Sequence, residues 1–192
     1  MAQAAAKNYE NVISDLLTSG TGVAWKTRER TSGTVEEPNN SQWIDFSLKL
    51  TMKKDGAVPV YDRMEPWVLY VSLNPNFPMC EMMYKTEQGC LMLLQVTRQK
   101  NPIKMAARIA WEKCMKQIAM PSDKLHLVKT ILIPHPQYAN EASLTVKNEK
   151  EVSANVYETD SLSWGLRKYE VWKIPANYER NFNSTFHREK SI

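Results

Sequence analysis

Two motifs that commit a chain to nucleotide chemistry are missing from these 192 residues. There is no G-x-x-x-x-G-K-[ST] phosphate loop and no G-x-G-x-x-G dinucleotide turn, so nucleotide hydrolysis by this chain alone is not expected. Histidine is scarce and scattered. His126, His135 and His187 form no His-x-x-x-His pair and have no carboxylate at a telling interval, which argues against a zinc centre or a Ser-His-Asp triad. Cys80, Cys90 and Cys114 are odd in number and lack metal-ligand spacing; with two of them inside apolar segments, they read as reduced, buried thiols of an intracellular protein. No apolar stretch approaches the ~20 residues of a membrane span. The first residues carry no apolar h-region, so the expectation is a soluble, non-secreted protein without membrane contact. Charge is nearly balanced, 25 basic against 21 acidic residues for a formal +4. That excess permits contact with a polyanion without demanding it.

What is present suits one domain able to bury about two-thirds of its extended-chain surface. Tyr9, Val12, Ile13, Leu16 and Leu17 recur at helical spacing over residues 8–19, and Gly20 stops the helix. Residues 21–41 are polar and read as a long loop or a weak hairpin around Val23 and Trp25. Ile44, Phe46, Leu48, Leu50 and Met52 then alternate with polar residues, the pattern of one half-buried, antiparallel strand. The run from Trp67 to Leu73 is continuously apolar and predicts a strand covered on both faces. After two further strands, Asn101-Pro102 opens a predicted helix striped by Ile103, Ala106, Ala107, Ala110, Trp111, Cys114 and Ile118. A strand over residues 125–133 follows. Strand, helix, strand at this spacing predicts a crossover and at least one parallel pair. Residues 137–161 read as a polar loop bearing one short helix, and residues 166–174 as a last strand. The reading is thus α/β, a mixed sheet flanked by helices. It divides into an N-terminal helix and loop (1–41), a single α/β domain (42–174) and a polar tail (175–192).

Chemistry concentrates in residues 77–97. Two apolar strands are joined by Thr86-Glu87-Gln88-Gly89, with Glu81 on the first and Gln95-x-Thr97 at the end of the second. A carboxylate facing a Glu or Gln followed two residues later by Lys is how several nucleases hold a divalent ion against a phosphate. Here Glu81, the Gln95 amide and the Val96 carbonyl would ligate a hard cation such as Mg²⁺, one carboxylate holding it weakly, with Glu10 or Asp15 as further acids. Thr97 stands where catalysis wants a lysine and cannot stabilise developing charge. Lys100, Lys104 and Arg98 are the nearby substitutes. The alternative reading makes Glu81 an edge-strand residue facing solvent. For nucleic-acid contact the candidates are Lys104, Arg108, Arg167 and Lys168, with Trp25 and Trp164 as stacking surfaces beside Lys26, Arg28 and Arg167.

The sequence Val68-Leu69-Tyr70-Val71, Asn76-Phe77-Pro78, Glu81, Leu93-Leu94-Gln95-Val96-Thr97 and Leu166-Arg167-Lys168-Tyr169-Glu170-Val171-Trp172 resembles the C-terminal region of trypanosome retrotransposon hot spot proteins, across residues 64–174. Those proteins, with Crinkler-type effectors, join a P-loop NTPase to a restriction-endonuclease-like module. The resemblance implies the second module alone, with Glu81 at the first metal-binding acid, Gln95 at the Glu/Gln position and Thr97 at the lysine position. It implies an inactive metal-dependent nuclease, nucleic-acid or chromatin- and RNA-associated partners, and a nuclear or perinuclear location. The competing expectation is an interaction scaffold with no nucleic-acid role, favoured by the modest charge and the missing lysine.

Overall fold

The computed structural model of the chain describes residues 2–19, 24–31, 42–98, 103–104, 107–141, 145–146 and 168–175. Helix α1 (Ala2–Thr18) starts earlier than the apolar period announces, since alanine and lysine in its first turns favour helix on their own. Of the predicted stripe, Tyr9, Ile13, Leu16 and Leu17 are buried, while Val12 is 45% exposed. Strands β1 (Ala24–Thr31), β2 (Ile44–Ser47), β3 (Met52–Gly56), β4 (Val68–Ser72), β5 (Met82–Lys85) and β6 (Leu91–Thr97) follow. Then come a two-residue β7 (Ile103–Lys104), helix α2 (Ala107–Gln117), β8 (Val128–Pro134), a two-residue β9 (Thr145–Val146) and β10 (Lys168–Lys173).

Eight strands form one mixed sheet in the order β2-β1-β10-β8-β6-β5-β4-β3, while β7 and β9 pair separately. The predicted crossover is present: β6 and β8 pair in parallel, Leu91 opposite Val128 through Thr97 opposite Pro134, with α2 between them in sequence. Strand β10 extends this parallel core and β1 and β5 close it antiparallel. Strand β4 carries four consecutive buried residues, as its unbroken apolar run requires.

The strand order forces the sheet to curl. Strands β2 and β3 lie at opposite edges, yet only residues 48–51 connect them. A flat sheet of eight strands would separate its edges by roughly 34 Å at ~4.8 Å per strand, whereas the connection spans at most about 18 Å. Its edges must therefore approach each other. The concave face holds α1 and an apolar cluster that includes Trp25, Leu50, Leu69, Tyr84, Leu94, Ile131 and Trp172. Ring contacts measure the curvature: Phe46 of β2 lies 4.8 Å from Trp172 of β10, and Tyr84 of β5 reaches the same indole at 6.4 Å across two intervening strands. The convex face is covered by α2, with Trp111, Cys114, Met115 and Ile118 packed on Met83, Leu91, Leu93 and Val128.

Several expectations change. The alternation over residues 44–52 is two strands at opposite edges, because the Leu50 N–H turns to the Leu17 carbonyl and the Thr51 N–H to the Trp67 carbonyl. Residues 24–31, read as part of a long loop or weak hairpin, are a full strand, so the boundary at residue 41 does not separate structure: α1 and β1 belong to the same core. The first strand of the 77–97 hairpin begins only at Met82, since Met79 takes a left-handed φ of 76°. Helix α2 begins at Ala107, and Lys104 sits in β7 rather than at a helix mouth. Residues 122–127 form a 3-10 turn, so β8 begins at Val128. A 3-10 turn lies at Pro136–Tyr138, and most of the 137–161 segment in which a short helix is expected lies outside the described residues. The tail from residue 176 lies outside the described residues. Among the described residues no helix is long and apolar enough to cross a membrane.

Candidate functional site

The β5–β6 hairpin brings the two leading candidates together. Met82 pairs with Leu94 and Met83 with Leu93, so one residue further the register sets Glu81 across from Gln95. The turn is built by Thr86: its carbonyl accepts from the Gly89 N–H at 3.0 Å and its hydroxyl accepts from the Cys90 N–H at 3.1 Å. Gly89 has φ 89°, and a Cβ there would stand 2.8 Å from the Tyr61 hydroxyl, which donates to the Gly89 carbonyl at 2.6 Å. Only glycine fits both the conformation and the contact.

The side chains do not make a metal half-site. The half-buried Glu81 carboxylate accepts a hydrogen bond from the Val96 N–H at 3.1 Å. It thus continues the hairpin ladder one residue before β5 begins. Gln95 is 5% exposed, and its Oε1 is buried without a hydrogen-bond partner among the described residues. Thr97 is 8% exposed, and its carbonyl accepts from the His135 N–H at 2.8 Å. Mg²⁺ needs near-octahedral oxygen ligation and keeps several waters. One carboxylate engaged with backbone and one enclosed neutral amide do not fit that requirement. Among the described residues no group of three or more His, Cys, Asp or Glu is placed to hold a metal.

The further acids are on the wrong side. Alternation along β6 puts Met92, Leu94 and Val96 on the concave face with α1, and Leu91, Leu93, Gln95 and Thr97 on the convex face. Glu10 and Asp15 ride on α1, and Asp15 pairs with Lys53 at 3.5 Å. Neither reaches Gln95 through the sheet. Lys100 and Arg167 lie outside the described residues, as do the side chains of Lys104 and Arg108 and all of Trp164. Lys168 is exposed at the start of β10, bordering a depression lined also by Glu29, Lys129, Thr130, Tyr169 and Glu170. Trp25 is 1% exposed on the concave face, which removes it as a stacking surface. All three cysteines are free thiols, Cys80 and Cys114 buried and Cys90 half-buried.

A second group, of which the sequence reading named only Lys26 and Arg28 beside Trp25, lies on the convex face of β1. Lys26, Arg28 and Arg30 alternate to that side, and Lys173 of β10 stands opposite Lys26. Lys26 pairs with Asp45 at 3.2 Å. Arg28 is 8% exposed: its guanidinium lies 4.6 Å from the Trp43 ring centre, and one terminal nitrogen donates to the Asn140 carbonyl. Lys173 approaches the same ring at 6.0 Å. The Nε atoms of Arg28 and Arg30 are buried without partners among the described residues. Burial first, and then the Arg30 charge, push the Arg28 pKa below the usual guanidinium value, with Tyr169 opposing. The sequence signal was the period-two run Lys-x-Arg-x-Arg.

Opposite this group, on the concave face, Glu29 and Glu170 are cross-strand partners. Burial raises the Glu170 pKa, Lys129 and a hydrogen bond with Trp172 counter it, and Glu29 adds to the rise.

The fold and site therefore define an α/β protein with a curled, mixed eight-stranded sheet. No protein-family model, curated protein or solved structure matches this chain.

Proposed function

We propose that the chain is a non-catalytic domain of restriction-endonuclease-like descent that binds nucleic acid or a nucleic-acid-associated partner. The observation that carries binding is the cationic row on the convex face of β1, Lys26, Arg28 and Arg30 with Lys173 beside them and Trp43 among them. Two arginines there have no carboxylate partner among the described residues, an arrangement that gains most from a polyanion. What supports loss of catalysis is the Glu81–Gln95 pair. It keeps the register of a half-site, but its carboxylate serves the Val96 N–H and Thr97 replaces the lysine.

The test is an electrophoretic mobility shift with single- and double-stranded oligonucleotides across a salt series. Four phosphate contacts on a single strand predict a slope of log affinity against log salt near roughly −3. No cleavage is expected with Mg²⁺ or Mn²⁺. Absence of binding at low salt overturns the reading in favour of an interaction scaffold, which the enclosure of Gln95 and Thr97 favours.

A further inference from the structure

We infer that Arg28 and Arg30 form a two-point seat for one phosphate-type oxyanion on the convex face of β1, beside Trp43. Four observations carry this. The two side chains lie on the same side of one strand, two residues and roughly 6.8 Å apart along the backbone. Both present a buried Nε donor that has no acceptor among the described residues. Arg28 is held in place by the Asn140 carbonyl and the Trp43 ring, neither of which carries a negative charge. The residues facing the pair from β10 are Val171, opposite Arg28, and Tyr169, opposite Arg30, with Lys173 beyond. Asp45, from β2, is paired with Lys26. Glu29 and Glu170 point to the concave side.

A buried guanidinium without a counter-charge is costly, and two adjacent ones repel. An anion between them removes both costs. Its shape is constrained. A planar carboxylate spends both oxygens on a single fork, whereas a tetrahedral phosphate offers separate oxygens to two forks. Arg30 is only half-buried, so its fork can turn to meet a ligand that Arg28 holds from below.

The phosphate can arrive in a nucleic-acid backbone or as a free or small-molecule phosphate. The seat stands in either case, so its failure and that of the nucleic-acid reading are separable. The probes are inorganic phosphate and a labelled oligothymidylate, applied to the full chain. Thermal stability is measured against phosphate at constant ionic strength, with chloride as the reference salt. The wild type is expected to be stabilised by phosphate. Arg30→Gln should weaken apparent phosphate affinity roughly tenfold or more, the worth of a charge-assisted pair of hydrogen bonds. Lys49→Gln, exposed in the connection between β2 and β3 and outside the cationic row, should leave it within about twofold. Arg28→Lys keeps the charge but loses the fork, and should also weaken it. Should that buried change impair folding, the half-buried Arg30→Gln still decides. No phosphate stabilisation in the wild type, or equal stabilisation in Arg30→Gln, overturns the seat. Oligothymidylate that displaces phosphate, and binds more weakly in Arg30→Gln, identifies a backbone phosphate as the occupant. Phosphate binding that oligothymidylate leaves untouched identifies a small phosphate compound and removes the seat from the nucleic-acid reading.

Discussion

Replacing Glu81 tests whether its carboxylate is a structural acceptor or the remnant of a metal ligand. The Val96 N–H lies inside the sheet, and its acceptor is the Glu81 carboxylate at 3.1 Å. A hydrogen bond to a charged acceptor contributes about 1.5–3 kcal/mol, and the half-exposure of Glu81 brings the expectation down to about 1–2 kcal/mol. For a chain of this size each kcal/mol moves the melting temperature by roughly 2–4 °C. Glu81→Ala should therefore lower it by roughly 2–8 °C. Glu81→Gln keeps an oxygen for the N–H and loses only the charge assistance, so it should recover more than half of that drop. Calorimetry of the three proteins with and without Mg²⁺ is the assay, and Mg²⁺ should move none of them. If Glu81→Gln is as harmful as Glu81→Ala, the acceptor argument fails. If Mg²⁺ stabilises the wild type and neither variant, the carboxylate holds an ion and the structural account of the hairpin is wrong.

Two further outcomes follow from local geometry. Gly89→Ala forces a side chain into a positive-φ position against the Tyr61 hydroxyl and should cost about 2–3 kcal/mol; adding Tyr61→Phe removes the 2.8 Å contact, so the two losses should be less than additive in denaturant titration. Glu170 has a folded-state pKa raised chiefly by burial, so its protonated form is favoured in the fold and its contribution is lost as pH rises through that raised value. Glu170→Gln should thus be more stable than the wild type at neutral pH and lose the advantage in acid; a difference that grows toward low pH would contradict the assigned sign.

Local pattern made part of this molecule readable. The amphipathic stripe of α1, the doubly covered β4 and the β6-α2-β8 crossover each follow from apolar spacing within a few residues, and each is present. The hairpin register likewise set Glu81 against Gln95. Strand β1 was not readable because six of its eight residues are charged or threonine on both faces in succession, with no apolar alternation; it is a strand because it pairs with β10, far away in sequence. The break within residues 44–52 was hidden for the opposite reason. Its alternation is clean, but nothing local says that the chain leaves one edge of the sheet and arrives at the other. At the site, residue types and neighbours were legible. The acceptor role of Glu81 depends on where β5 begins, and the charge on the convex face depends on β1 being a strand.

The short connection at residues 48–51 also sets how the sheet meets other chains. As a tie between its rims, it holds a short four-residue strand and a five-residue one on a bent wall, where a straight strand of another molecule finds little to match. Cutting that tie would leave every ladder hydrogen bond between strands in place. It would also let the wall flatten, turning a self-limiting surface into one with two rims open to strand addition.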